Sequence, residues 1–433
     1  MLLGSLIPAS FQAGFRQFRQ HMRILVFGIN SSPDLTGIGK YTGEMNAFLA
    51  SRGHEVTMIT ANPYYPEWKL GDGYPRYFWK KEWKDGAEIY RCPLYIPSNP
   101  QALKKILHEC SFLLSSVPVW LRVVFAKRYD YVLSINPPFH MTIFPLVYKW
   151  IRGTKLISHV QDLQIDVVKD MEIIRSKTLL KTMFSFERFF FKHSDWVSTI
   201  SVGMEKKISS KGLSKTRLIL FPNWVDSSFV APVRKEDSLR DRFGLNQTDR
   251  VVLYSGNLGE KQGLEMIVEL ADRMKTQLDI KFVIVGSGGA KVRLQQMVES
   301  FSLKNVLFYP LQPYADLPKL LAVADVHLVL QKKEASDLVM PSKLTGILST
   351  GGLALITALP ETTLYEEVTK HNMGVVVEPG SIDALHSGLV SCLDMKTDSC
   401  TIRENARKYA LRHLDRDAVL TRFEHKLLNY LKE

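Results

Sequence analysis

Short apolar runs recur along the chain, each closed by a polar or glycine-bearing stretch and followed by a helix-like segment. The first, Arg23-Ile24-Leu25-Val26-Phe27-Gly28, predicts a buried strand, and a helix is expected from about Tyr41. Val56–Thr60, Lys155–Ser158 and Asp195–Ser201 read as further strands, and Leu218–Asp226 closes the first half. In the second half Val251–Leu253, Phe282–Val285, Val306–Phe308, Asp325–Leu330, Leu353–Thr357 and Val375–Val377 alternate with helical stretches. One of these stretches, Leu264–Leu270, has an apolar face. Such alternation predicts an α/β fold of two successive parallel-sheet domains, with ligand between their carboxyl edges. The expected boundaries are an N-terminal extension over 1–21, a first domain over 22–225 and a polar, charged linker over 226–249. A second domain is expected over 250–414 and a C-terminal helix over 415–433.

Three stretches depart from the alternation. Residues 62–86 are long, irregular and rich in Pro, Tyr and Trp. Their aromatics (Tyr64, Tyr65, Trp68, Trp79, Trp83) suit stacking on a sugar, a membrane interface or plain surface packing. Residues 102–128 read as a long Leu-rich helix with Pro118 inside it and Lys104, Lys105, Arg122, Lys127 and Arg128 along it. Phe184–Lys192 mixes aromatics with cations. Both of the latter suit contact with anionic lipid, with a buried core stripe as the alternative for the aromatics. Residues 1–21 lack a basic region ahead of their apolar stretch, so they do not match a cleaved secretory signal. Met22 is the expected start of the fold, preceded by a mobile extension or a short amphipathic surface helix.

At 433 residues with 45% apolar and 23% charged positions, the chain is long enough for two or three cores. A net charge of +12 points to an anionic partner without choosing among nucleotide, nucleic acid and membrane. Cys92, Cys110, Cys392 and Cys400 form no Cys-x-x-Cys pair and no zinc spacing, so reduced thiols in a cytoplasmic protein are expected. No apolar run reaches the length of a membrane span.

Chemistry concentrates at strand ends. Tyr254-Ser255-Gly256-Asn257-Leu258-Gly259-Glu260-Lys261-Gln262-Gly263 joins a strand to a helix through three glycines and a lysine. That arrangement suits a phosphate at exposed amides and a positive helix end, or else an ordinary tight turn with a solvated lysine. Gly37 and Gly39 lie in the loop after the first strand, and Gly286, Ser287, Gly288 and Gly289 follow Phe282–Val285. Ser342 and Lys343 begin a helix behind Pro341 and can hold an anion. His159 and Asp162 close the strand that begins at Lys155, where open α/β sheets bind ligands. Asp415-Arg416-Asp417 opens the last helix and reads as helix-terminal charge, so no metal or other cofactor is expected.

Taken in order, these motifs resemble the family 4 glycosyltransferases, whose GT-B architecture is two Rossmann-like domains. The resemblance runs over about residues 22–430 and rests on Gly37-Ile38-Gly39, the His159 segment, Phe221-Pro222-Asn223, Tyr254-Ser255-Gly256, Lys261 and Val285–Gly289. Leu35–Glu44, Asn62–Pro66 and Phe221–Trp224 are similar to the fucosyltransferase branch of colanic-acid, capsule and O-antigen assembly. The resemblance implies transfer from a nucleotide-sugar donor with retention, GDP-fucose or a UDP-linked N-acetylamino sugar being the donors to weigh. It also implies a polyprenyl-diphosphate-linked acceptor and a peripheral position on the inner face of the cytoplasmic membrane.

By the same resemblance Lys261, Gly259 and Lys343 hold the diphosphate, with Ser255, Gly256, Asn257 and Asn223 beside them. Gly286, Ser287 and Gly288 line the nucleotide pocket, and Gly37 and Gly39 approach the diphosphate. His159 contacts the donor sugar and Asp162 orients it or the acceptor. Two departures stand out. Asn257 stands near the place of the family's arginine, and Leu338 and Gly346 stand where it has paired glutamates, leaving Ser342 and Lys343 as substitutes. A dinucleotide-linked oxidoreductase or epimerase would need a Gly-x-Gly-x-x-Gly turn that the first loop lacks. A non-catalytic binding protein of this fold remains open, and no nucleic-acid-binding module is recognisable.

Overall fold

The computed structural model describes residues 21–34, 37–170, 176–259, 262–333, 341–394 and 398–431. Strands β1 (Arg23–Phe27), β2 (Glu55–Ala61), β3 (Lys80–Lys84), β4 (Ala87–Cys92), β5 (Tyr131–Asn136), β6 (Lys155–Val160), β7 (Trp196–Thr199) and β8 (Leu218–Leu220) form one sheet. Its order is β3-β4-β2-β1-β5-β6-β7-β8. Strands β9 (Arg250–Ser255), β10 (Ile280–Val285), β11 (Val306–Tyr309), β12 (Val326–Val329), β13 (Ala354–Thr357) and β14 (Val375–Val377) form a second, in the order β11-β10-β9-β12-β13-β14. By contact the chain divides into two compact units. One gathers the residues up to Ser134 with Phe144–Leu156 and the chain from Glu424 on; the other holds Ile135–Ile143 and Ile157–Phe423.

The second sheet is parallel throughout its registers, and its strands are apolar on both faces. Along β9, Val252 and Tyr254 enter one core with Leu258 and the helix Glu265–Arg273, while Val251 and Leu253 enter the other. This period-two division is what a strand covered by helices on both sides requires. In chain order the six strands run 3-2-1-4-5-6, so the topological switch point falls between β9 and β12. The loops leaving those strands are where an open sheet forms its crevice.

Several spans differ from the sequence expectation. Residues 226–249, read as a linker, are packed: Leu239, Phe243 and Leu245 join the core of the second sheet. The fully buried Arg240 guanidinium donates to the carbonyls of Val323, Asn246 and Asp249 and to Asp325. The irregular stretch 62–86 ends in β3, which pairs antiparallel with β4 through Asp85-Gly86, both at positive φ (50° and 79°). An Asp-Gly pair between two strands is a type I′ hairpin signal. The C-terminal helix runs Arg416–Tyr430, and Asp415 accepts from the Ala418 amide at 3.0 Å, as its helix-terminal reading anticipates. Glu424 of that helix, almost fully buried, meets His54 Nε2 at 2.9 Å and Arg52 Nε at 3.1 Å.

Candidate active site

Strand β9 leaves the sheet at Gly256 (φ 141°) and β10 leaves it beside it at Gly286 (φ 151°). The two exits interlock backbone against backbone. A Cβ on Gly286 would stand 1.9 Å from the Gly256 carbonyl oxygen, and one on Gly288 (φ 152°) would stand 2.4 Å from that of Leu258. Only glycine fits both the dihedral and the space. The Gly256 amide donates to Val285 at 2.9 Å, Leu258 to Ser287 at 2.8 Å, Gly286 to Tyr309 at 3.1 Å and Ala290 to Leu258 at 3.0 Å. Of the two readings the sequence left open for the first loop, phosphate at exposed amides or an ordinary tight turn, the phosphate reading has no free amide at Gly256. The Gly256 and Gly286 donors are spent on carbonyls, and the glycines serve to bring the two loops together. The loop turns Asn257, Ser287, Gly288 and Gly289 toward solvent, while Ser255 and Gly259 are half-buried.

Lys343 enters this corner from the helix Ser342–Ser349, which follows Pro341. Its Nζ lies 3.7 Å from the centre of the Tyr254 ring and 3.4 Å from where a Gly256 Cβ would be. A Cβ at 256 would come into van der Waals contact with the lysine. The Tyr254 hydroxyl donates to the Asn257 carbonyl at 2.8 Å, which fixes the ring. Nζ is buried and has no hydrogen-bond partner among the described residues. Burial accordingly pulls the lysine down to about 7. Gln262 Oε1 is likewise buried and unpartnered among the described residues. It packs where a Cβ on Gly259 would fall, 2.9 Å away. Lys343 Nζ and Gln262 Oε1 are each a buried polar atom that a polar ligand would satisfy. Ser342 is exposed in the first turn of the helix. Lys261, expected at the diphosphate, and Leu338 lie outside the described residues; Gly346 sits within the helix.

The other expected residues are placed differently. His159 is the penultimate residue of β6 and almost fully buried. Its Nδ1 is 2.9 Å from Ser198 Oγ, its register neighbour on β7, and its ring packs on Phe221 at 5.1 Å between centroids. Burial pulls it down to about 3, so the ring is neutral. Its Nδ1 is thus held by Ser198 within the sheet, and contact with the donor sugar stays what the resemblance implies for it. Beyond the strand Asp162 is exposed and lines a small recess with Asn136, Gln164 and Glu187. Asn223 is half-buried beyond Phe221, whose ring stacks on Phe423 at 4.0 Å.

In the first unit, Gly37 (φ 61°) opens the helix Gly37–Ser51 and is exposed; Gly39 is buried. A Cβ on Gly39 would lie 2.5 Å from Asp34 Oδ2, so this glycine makes room for a carboxylate. Asp34 is almost fully buried, accepts from Asn30 Nδ2 at 3.3 Å and is pushed up to about 6 by that burial. Tyr254 and Gln262 lie in the glycine stretch the sequence points to but carry no role there, and Asp34 carries none either. Their only signal is adjacency to the glycine loops.

Two family descriptions match the chain. A glycosyl transferase 4-like domain spans residues 36–224, and a glycosyl transferases group 1 domain spans 235–409. The chain is 40% identical over 410 residues to the putative colanic acid biosynthesis glycosyl transferase WcaI of Escherichia coli strain K12, covering 93% of this chain and 98% of that protein. The chain belongs to the glycosyl transferases. Its fold is that of the GT-B members among solved structures. Sucrose-phosphate synthase from Thermosynechococcus elongatus superposes with TM-score 0.74 at 17% identity, over 95% of this chain and 99% of that one. Anabaena Alr3699/HepE in complex with UDP-glucose superposes with TM-score 0.67 at 15% identity, over 94% and 99%. In this glycosyl transferase Gly256 and Lys343 stand at the exit of β9, one of the two strands flanking the switch point, and Gly286 and Gly288 close in from β10 on the other side. Among its described residues no cluster of three or more His, Cys, Asp or Glu side chains could hold a metal ion, and no helix is long and apolar enough to cross a membrane.

Proposed function

We propose that this glycosyl transferase moves a hexosyl group, L-fucose from GDP-fucose, onto a lipid-linked saccharide in exopolysaccharide, capsule or O-antigen assembly, with retention at the anomeric carbon. The observation that carries the donor reading is the buried, unpartnered Lys343 ammonium beside the β9 and β10 exits. The departing nucleoside diphosphate gains negative charge as the glycosidic bond breaks. A lysine already desolvated and fixed in place before the donor arrives, and protonated as the diphosphate binds, stabilises that charge with little reorganisation. Lys343 holds the diphosphate, Ser342 lies beside it, and Ser287, Gly288 and Asn257 line the nucleotide. The likeness to WcaI supports the polysaccharide setting.

A one-sided apolar stripe supports a peripheral membrane position. On the helix Ala102–Phe125, Leu103, Leu107, Leu114, Leu121 and Phe125 are 81%, 56%, 71%, 57% and 85% exposed. At about 100° per residue they project within an arc of about 40°. Lys104, Lys105 and Arg122 are exposed on the same helix, and Lys127 and Arg128 follow it. Apolar side chains flanked by cations match an anionic lipid surface.

Melting curves of the full chain with GDP-fucose, other GDP-sugars and UDP-sugars test the donor, since a ligand of the folded state raises the melting temperature. A rise with GDP-fucose, lost in Lys343→Ala, is the expected result. A rise with UDP-N-acetylamino sugars alone reassigns the donor, and none with any sugar nucleotide overturns the reading in favour of a protein that does not bind donors.

A further inference from the structure

The first unit contains a cavity of about 610 Å3 that the donor site does not use. It opens between the irregular segment 62–79, the loop after β4 and the helix Ala102–Phe125. Its size falls in the usual range of small-molecule sites, roughly 300–1,000 Å3. Three aromatics, Trp68, Tyr77 and Tyr95, share the lining with two cations, Lys69 and Arg76, and no carboxylate is among the described residues that line it.

Hydrogen bonds brace the walls. Asn62 Nδ2 donates to the Pro75 carbonyl at 2.7 Å, the Lys69 amide donates to that of Tyr64 at 3.2 Å, and the Tyr95 amide donates to Ser111 Oγ at 2.8 Å. Trp68 sits at φ 53°. A bulky residue at positive φ costs of order 1–3 kcal/mol, so its surroundings must hold it there. Those surroundings include Tyr64, edge-on at 5.5 Å, His108 at 5.2 Å and the Lys105 ammonium, 5.9 Å from the ring centre. The Trp68 ring is thus fixed at the cavity wall before any ligand arrives.

Aromatic faces pack on the C–H faces of sugar rings, and paired cations without a carboxylate select an anion. We infer that this cavity binds a saccharide carrying an anionic group, a uronate carboxylate or a glycosyl diphosphate. The inference rests on the reading that the acceptor is a saccharide, and it identifies that acceptor as acidic. Arg76 supplies a planar fork for either group and Lys69 a point charge.

Tryptophan fluorescence of the full chain, titrated with a glucuronate-containing disaccharide, its neutral glucose counterpart and a glycosyl diphosphate, tests the site. The expected result is binding of one of the acidic probes at least about tenfold tighter than the neutral one, the weight of a charge-assisted hydrogen bond. Whichever acidic probe binds names the source of the anion. The double variant Lys69→Ala/Arg76→Ala should lose that preference at an unchanged melting temperature, and Trp68→Leu should weaken all saccharide binding. Equal binding of acidic and neutral probes, no binding, or an unchanged preference in the double variant overturns the proposal. GDP-fucose binding is measured separately on the same protein, so failure of the cavity and failure of the donor reading remain distinguishable.

Discussion

Lys343 holds its ammonium nitrogen 3.7 Å from the centre of the Tyr254 ring, buried and without a hydrogen-bond partner among the described residues. A cation on an aromatic face is attracted by the ring quadrupole, but that attraction replaces only part of its lost hydration. The balance is visible in the direction of its titration, down to about 7.

Sugar-nucleotide binding should therefore take up a proton. Above about pH 7 the free protein holds Lys343 mostly neutral, and a bound diphosphate restores the charge. The dissociation constant for GDP-fucose should rise with pH, by up to about tenfold per unit, between about 7 and the pKa of the bound state. Calorimetric titrations at several pH values check this, and Lys343→Met should bind more weakly with a flat profile. The lysine also affects stability. Between about 7 and its ordinary value near 10.5 the unfolded chain binds the proton and the folded chain does not. Stability from this group thus rises with pH across that window, and the burial penalty is fully present below it.

Gly286 and Gly289 lie three residues apart and should respond oppositely to one methyl group. At Gly286 a Cβ meets the Gly256 oxygen at 1.9 Å with φ at 151°, whereas at Gly289 nothing lies within 4 Å. Gly286→Ala should cost about 2–4 kcal/mol, from backbone strain and overpacking together. Gly289→Ala should stay within about 0.5 kcal/mol of the parent. Urea melts of the two variants measure the difference.

Much of the fold was legible because buried parallel strands announce themselves as apolar runs: Val251–Leu253 and Phe282–Val285 both lie inside β9 and β10. What the sequence hid was mostly decided by neighbours distant along the chain. His159 stands at a strand end, and the residue that holds its Nδ1 is Ser198, set by the β6–β7 register and unreadable from the local sequence. Arg240 looks like linker charge until Asp325 and the Val323 carbonyl, more than eighty residues on, are brought to it. The β3–β4 hairpin was legible in Asp85-Gly86 and was obscured by the surrounding aromatics. At the candidate site the glycine pattern located the loop, yet the partner of Tyr254 came from a helix start eighty-nine residues later.

Asp34 gives a stability test with the opposite sign. Its folded-state carboxyl is raised to about 6 from 3.8 by burial. Between those values the folded chain holds the proton and the unfolded chain does not, so stability falls as pH rises and the penalty is complete above about 6. Asp34→Asn removes the charge while keeping an oxygen for Asn30. It should raise stability by about 1–3 kcal/mol at about pH 8 and by almost nothing at about pH 4. Melting temperatures of both proteins at the two pH values decide it.

The apolar stripe on Ala102–Phe125 separates membrane binding from chemistry. Leu114 and Leu121 are 71% and 57% exposed, so charging them disturbs little packing. Each apolar side chain buried in the interface contributes about 1.5–3 kcal/mol, so Leu114→Glu/Leu121→Glu should weaken binding to vesicles containing phosphatidylglycerol at least about a hundredfold. Added carboxylates facing an anionic surface act in the same direction. Binding to neutral phosphatidylcholine vesicles should already be weak in the parent, because Lys104, Lys105 and Arg122 then lose their counter-charge. Hydrolysis of a soluble donor should be unchanged, since neither leucine lines the donor corner. Co-sedimentation with vesicles, read beside donor hydrolysis on the same preparations, separates the two effects. Equal sedimentation of parent and variant would return the stripe to an ordinary exposed helix face.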